Sequence, residues 1–430
     1  MAQPINADVP VAESSGSRPQ PPPRRKRRAI PAALKGIAGL IVLAVVFLAA
    51  AILGGGSNEK STPGSPAPVD GRPAQGSAAA SEGPTKLGYP AFATSNTTRV
   101  GGPDPASNAA GVALAVYPAI EEGQRPPAVV LVDGDDWQGG IAASVLMAAP
   151  LGAPLLISED GELPEPSGEA LDALDPRGNV ATQGTAAFAI GAAVAPDGLE
   201  TKRIKGAGAA ATAAAIARLR DRLFDRPPRH LVIAPATDAA FALPAAAWAA
   251  RSGDPVLFAS RDGLPPATAD ALRQHPDVPV YVLGPSSTIS SSVVRQIAAI
   301  DDQVRRVSGE NPVENAIAFA RYSDDGFGWN VNDPGHGFVV ARSDSPLDAA
   351  AAAPLSASGT WGPLLLTDSA DTLPAALRGY LLDVKPGYTT DPTRAFYNHV
   401  WVIGDEGAID VSQQAEIDEL AELAQIGGEP

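Results

Sequence analysis

Nearly the same phrase occurs three times in this chain: Arg99-Val100-Gly101-Gly102, Arg203-Ile204-Lys205-Gly206 and Arg306-Val307-Ser308-Gly309, spaced 104 and 103 residues apart. A period that long is too great for a short solenoid repeat and suits a small α/β unit, so the chain beyond residue 98 reads as one module used three times. The copies agree well past the opening phrase. A first apolar run spans 128–132, 231–234 and 338–341, and an alanine-rich segment follows at 141–149, 243–250 and 349–353. Second runs, Pro154-Leu155-Leu156-Ile157, Pro255-Val256-Leu257-Phe258 and Pro363-Leu364-Leu365-Leu366, lead after 10, 10 and 11 residues to Pro164, Pro265 and Pro374. Third runs close on Gly191, Gly284 and Gly404.

Apolar runs of four or five residues, bounded by Gly and Pro and separated by helix-length segments, predict buried parallel strands joined by helical crossovers. Each module is then a β-α-β-α-β unit. Alanine, with the highest helix propensity and the smallest side chain, lets the first crossover helix sit close against its neighbours.

These strings resemble the cell wall-binding repeat 2 modules of Gram-positive surface proteins, over Arg99 to about Leu423. The signature Pro-Ile/Leu-Leu-Leu persists in all three copies. The resemblance implies an α/β fold of three tandem Rossmann-like modules with parallel sheets in a pseudo-threefold arrangement, here 99–202, 203–305 and 306–430. It also implies non-covalent binding of an anionic wall polymer or glycan. The family opening Arg-x-x-Gly-x-Asp-Arg-Tyr-x-Thr-Ala is only partly kept. Its second arginine is replaced by Pro105, Ala209 and Pro312, and its tail survives as Asn108-Ala109, Thr212-Ala213 and Asn315-Ala316.

The N-terminal part has a different composition. Residues 36–56 are apolar or glycine, about 31 Å of helix against a hydrocarbon core of about 30 Å. Arg24-Arg25-Lys26-Arg27-Arg28 and Lys35 precede them, which places the N-terminus in the cytoplasm and the modules outside. A cleaved signal peptide ending near Ala49-Ala50-Ala51 is the competing reading; the length of the run favours an uncleaved signal-anchor. Residues 1–35 read as a disordered basic cytoplasmic tail and 57–98 as a disordered Gly/Pro/Ser linker.

Charge divides at the same place. Residues 1–35 hold seven basic and two acidic side chains, so a chain of net −16 leaves −21 for the rest, which disfavours nucleic acid. The same charge repels an anionic polymer unless a local basic site compensates. With no cysteine, disulfides and thiolate metal sites are excluded.

Catalytic signatures are sparse. Gly-x-Ser-x-Gly is absent, and His230, His275, His336 and His399 share no metal-ligand spacing; no catalytic residue and no resident metal is assigned. The candidate ligand-binding residues are the acids and the aromatic at the end of the first strand, Asp135, Asp136 and Trp137, with Asp344 and Asp348 at the matching place in the third module. Open α/β sheets bind ligands at that end. Oxygen ligands there suit Ca²⁺, and Trp137 suits a sugar ring; the competing role is capping of the next helix. The leading expectation is a non-enzymatic, single-pass, membrane-anchored wall-binding protein. The alternatives are an envelope carbohydrate-active enzyme built on those carboxylates, and a structural partner of another envelope protein.

Overall fold

A computed structural model describes residues 92–358 and 361–426. The basic tail and the membrane-helix segment at 36–56 lie outside the described residues, as does most of the linker. Among the described residues no helix is long and apolar enough to cross a membrane.

The chain enters through two short strands, β1 (Phe92–Ala93) and β2 (Thr97–Val100), which pair antiparallel. Helix α1 (Pro105–Val116) follows. Asp104 caps it by accepting the Ser107 N–H at 2.8 Å, and Pro105 occupies its first turn, where the fixed φ of proline suits a helix start. The first lobe continues with β3 (Val129–Asp133), α2 (Trp137–Ala143), a 3₁₀ turn at Ser144–Met147, β4 (Leu155–Ser158), α3 (Glu165–Leu174), β5 (Ala187–Ile190) and β6 (Thr201–Ile204). The second lobe repeats the plan with α4 (Ala209–Leu223), β7 (Leu231–Pro235), α5 (Ala239–Ala242), α6 (Pro244–Ser252), β8 (Val256–Ala259), α7 (Pro266–Arg273), β9 (Val280–Leu283), α8 (Ser291–Ala298) and β10 (Val304–Val307). The third comprises α9 (Pro312–Arg321), β11 (Gly337–Arg342), α10 (Pro346–Ala351), α11 (Ala353–Ala357), β12 (Leu364–Thr367) and α12 (Ala375–Asp383). It ends with β13 (Gly387–Tyr388), β14 (His399–Ile403), α13 (Val411–Ala421) and β15 (Ala424–Gln425).

The predicted first, second and third strands form in every lobe, shifted by at most two residues from the apolar runs. Except in β14, where His399 and Trp401 are half-buried, their residues are buried on both faces, which is why the runs are continuous and do not alternate. The sheets, however, have a fourth strand that the β-α-β-α-β reading lacks. Strand orders are β4-β3-β5-β6, β8-β7-β9-β10 and β12-β11-β14-β2, all parallel, with β1 added at the outer edge of the last. Each fourth strand carries an opening arginine, so the phrase that begins one repeat completes the sheet of the repeat before it. The first phrase completes the last sheet: Arg99 pairs with Val402, as Arg203 pairs with Ala189 and Arg306 with Val282. The stretch read as linker therefore ends within structure. Thr97–Val100 is drawn into a strand because β14 offers an open parallel edge, and Phe92–Ala93 then pairs antiparallel with it.

That register explains the opening arginines. Each partner lies two residues before the glycine that ends a third strand, and the guanidinium reaches that glycine's carbonyl. Arg203 Nη1 donates to Gly191 O at 3.0 Å and Ala193 O at 2.7 Å; Arg306 donates to Gly284 O and, at 2.6 Å, to Ile289 O. Arg99, 2% exposed, donates to Gly404 O at 2.9 Å, Asp405 O at 2.6 Å, Ile409 O at 2.6 Å and Gln414 Oε1 at 3.0 Å. The opening glycine and the tail residue form a second repeated device. The N–H groups of Gly102, Gly206 and Gly309 donate to the side chains of Asn108, Thr212 and Asn315 at 2.8, 3.0 and 3.3 Å. A Cβ at Gly206 or Gly309 would lie 2.3 Å from helix backbone, so only glycine fits that approach.

The three lobes share one continuous hydrophobic core. At its centre α2 packs on α10, α6 packs on α11, and the 144–147 turn packs on both α6 and α11. A Cβ added at Gly140 would meet Ala350 Cβ and Leu347 Cδ2 at 3.3 Å, a closeness that these small side chains permit.

One polar contact in the second lobe gives a pH signature. His275 Nδ1 faces the Ala271 carbonyl at 2.8 Å and Nε2 faces Asp221 at 2.9 Å, so both ring nitrogens face acceptors, an arrangement that favours the protonated ring. The hydrogen bond that His275 donates to Asp221 raises the His275 pKa, against the effect of burial. A raised folded-state value stabilises fully below the unfolded pKa of about 6.5 and loses that stabilisation as pH rises through the folded one. Relative to a His275→Gln variant, the wild-type chain is expected to lose stability from neutral to alkaline pH, measured as the shift in urea midpoint.

Candidate ligand-binding site

The sequence-predicted residues stand on two helices that pack together, α2 and α10. Asp136 caps α2, accepting the Gly139 N–H at 2.8 Å; burial, offset in part by that bond, raises its pKa. Asp135 is exposed, and its N–H donates to Asp133 Oδ1 at 3.2 Å. Trp137 packs edge-on against Phe258 of the second lobe, ring centroids 5.9 Å apart, and the neighbouring Gln138 reaches Ala236 O at 3.1 Å. Its ring is thus engaged in the contact between lobes.

In the third lobe, Asp344 is exposed and paired with Arg342 at 2.7 Å, whose hydrogen bond holds it below the usual carboxylate range. Asp348 is buried, with Oδ1 lacking any hydrogen-bond partner, and burial pushes its pKa up to about 6. Among the described residues no group of His, Asp and Glu is placed to hold a metal ion, so the geometry offers nothing for the Ca²⁺ suggested by these acids.

Another set of residues comes together where the second and third lobes meet. The segment 322–337, irregular in the sequence and inserted only in the third module, folds back onto the second lobe. Phe327 stacks on Tyr281 with centroids 3.7 Å apart and planes 8° apart, and touches Trp248, Phe319 and His230 edge-on or obliquely. Asp324 binds Arg305 at 2.5 Å and accepts the Tyr281 hydroxyl at 3.1 Å.

Beside this brace lies a cavity of about 310 Å³ lined by Arg226, Arg229, Arg251, Trp329 and Trp361, among others, with the buried His230–Asp254 pair and Trp248 also in its wall. Asp254 is fully engaged. It meets His230 Nδ1 at 2.9 Å and accepts Trp248 Nε1 at 3.0 Å and the N–H groups of Arg229 and His230 at 3.0 and 3.2 Å. Burial alone would raise its pKa, but these donors hold it below the usual range. Arg251 lies 4.1 Å above the Trp361 ring, and Trp361 stacks loosely on Trp329 at 6.5 Å. Sequence reasoning missed this set. Its one local signal was Arg226-Pro227-Pro228-Arg229-His230, two cations held by a proline pair just before a strand.

A wider, open hollow of about 620 Å³ lies between α7 and α8, but its one cation, Arg273, is paired with Asp270 at 2.7 Å.

Residues 203–294 and 306–414 match the family model described as Cell wall binding domain 2, CWB2. Two consecutive segments of the chain are thus similar to the cell wall binding domain 2 family. Two solved structures share the CWB2 fold seen here, Cwp6 and Cwp8 from Clostridium difficile, each 20% identical in sequence, with TM-scores of 0.60 and 0.59. The alignments cover 76% of this chain in both cases, and 48% and 52% of the other chains, so this chain spans about half the length of those proteins. No curated protein matches it significantly by sequence. The matched CWB2 segments hold the cavity arginines, Trp361 and the 322–337 insertion; Asp135, Asp136 and Trp137 lie before them.

Proposed function

We propose that this protein is a non-catalytic, membrane-tethered wall-binding protein whose three lobes hold an envelope polymer while residues 36–56 cross the cell membrane. The observation that carries this reading is the family match on two consecutive lobes of a closed three-lobe body. The uncharged apolar run with five basic residues before it supports the tether, N-terminus inside. The absence of catalysis is supported by the engagement of the sheet-top acids: Asp136 caps a helix and Asp344 pairs with Arg342.

Pelleting of the purified full chain with isolated cell walls tests the polymer reading. Depletion of the chain from the supernatant, weakened as salt screens the charges, is expected. A chain that stays in the supernatant at every ionic strength would rule out wall-polymer binding.

A further inference from the structure

We propose that the cavity between the second lobe and the 322–337 segment binds the anionic group, phosphate or carboxylate, of a saccharide unit in the wall polymer. Arg226, Arg229 and Arg251 would hold that group. This rests on the wall-polymer reading above and goes beyond it by naming the chemistry and the place.

The charge pattern is the first support. The chain beyond residue 35 carries −21, so a stray anion is repelled from most of its surface, yet three arginines line one cavity. Among the described residues no acidic side chain forms an ion pair with Arg226, Arg229 or Arg251. The one carboxylate in the lining, Asp254, is already saturated by His230, Trp248 and two backbone N–H groups. The site is therefore rich in donors and poor in free acceptors, the composition that suits an oxyanion. Planar guanidinium groups offer such a ligand paired, charge-assisted hydrogen bonds.

The walls give the second support. Trp361 is 39% exposed beside Arg251, whereas Trp329 behind it is 7% exposed and its indole N–H has no partner. An aromatic edge next to cations suits a sugar ring that carries a charged substituent, the ring lying against the indole and the anion on the arginines. The floor is rigid: Phe327, Tyr281, Trp248 and His230 interlock beneath it, so the arginines are presented on a preorganised surface. The site exists only because the third module's insertion closes over the second lobe. Its lining draws on three separate parts of the chain, at 226–254, 326–329 and 361.

The test uses the full chain purified in detergent, titrated at constant ionic strength with glycerol 3-phosphate, glucuronic acid and glucose, and read by tryptophan fluorescence. Saturable quenching by one or both anions, with none by glucose, is expected; the phosphate and carboxylate arms tell the two sources apart. In an Arg226→Gln/Arg229→Gln variant, with an unchanged melting temperature, affinity is expected to fall at least about tenfold, and a Trp361→Phe variant should keep the anion affinity but lose most of the quench. Quenching by glucose equal to that by the anions, or anion affinity unchanged in the double-arginine variant, overturns the proposal. If the wild type binds the anions but does not pellet with walls, the anion site stands and the wall reading falls. If it pellets as well as the double variant does, the wall reading stands and this assignment falls.

Discussion

Replacing Arg99 by methionine is expected to destabilise the described body by about 3–5 kcal/mol, and replacing Arg203 in the same way by no more than about 1 kcal/mol. The two arginines open equivalent repeats and grip equivalent glycine carbonyls, so repeat logic alone would rank them equal. Their surroundings differ. Arg203 stands on an exposed edge strand, where water replaces its two hydrogen bonds. Arg99 is 2% exposed and serves three backbone carbonyls together with Gln414, whose own amide donates to Thr97 Oγ1 at 2.9 Å. Methionine fills much of the same volume but leaves those carbonyls and Gln414 without donors in a buried place, where each unmet group costs about 1–3 kcal/mol and the sum is not additive. The position also matters for topology. β2 attaches the start of the described chain to the last sheet, so its loss frees the edge of β14 and leaves the packing of α1 on α10 and α11 to hold the chain's beginning to the third lobe. Urea unfolding of both variants, with protease cleavage before residue 105 as a second reading, checks the ranking. Equal destabilisation would mean that the closure adds nothing beyond one sheet edge.

The same residues show what was legible in the sequence and what was hidden. The three inner strands of each lobe announce themselves because both faces are buried, which forces unbroken runs such as Leu155-Leu156-Ile157 and Leu364-Leu365-Leu366. The fourth strands did not, although their phrases were the most obvious repeat. Thr-Lys-Arg-Ile and Val-Arg-Arg-Val lie at sheet edges with one face toward solvent, so they lack the apolar signature and read as module openings. Their partners, glycines at the ends of the preceding third strands, stand 12, 22 and, for Arg99, 305 residues away, and no local pattern encodes such a pairing. Site residues divide in the same manner. Asp136 and Asp344 were placed at a strand end by pattern, but whether a carboxylate there faces a ligand or a helix N-terminus depends on a few ångströms that composition does not fix. Trp137 looked like a sugar platform, yet its neighbour is Phe258, more than a hundred residues on. The cavity arginines belong to segments that meet only after the insertion folds over the second lobe, so their shared chemistry arises from packing between lobes.

Substituting Asp348 by asparagine is expected to stabilise the protein by roughly 2–3 kcal/mol at pH 7.5, an unusual direction for a change at a buried polar residue. Asp348 lies on α10 at the centre of the molecule, 6% exposed. Burial is the main force on its ionisation, and the charges of Asp104 and Asp344 add to it, while hydrogen bonds from Asn108 and Ser345 recover only part; the result is a pKa of about 6. The folded state therefore holds its proton more tightly than the unfolded chain does. The associated stabilisation is complete below the unfolded value near ~3.9, and it drains away as pH climbs to about 6, leaving a charged, half-satisfied carboxylate above that. Asparagine keeps the size and carries no charge, so it escapes the ionisation penalty, and its amide oxygen, turned toward Asn108 and Ser345, still accepts there. The pH dependence identifies the cause. If ionisation is what Asp348 costs, the gap between variant and wild type, read from urea midpoints, is wide from pH 7 upward and closes below about pH 4, where both side chains are neutral. A gap that persists unchanged at acid pH would instead assign the effect to repacking around α10. Asp344, exposed and held ionised by Arg342, serves as the internal control: its asparagine variant should move stability little and in the opposite direction.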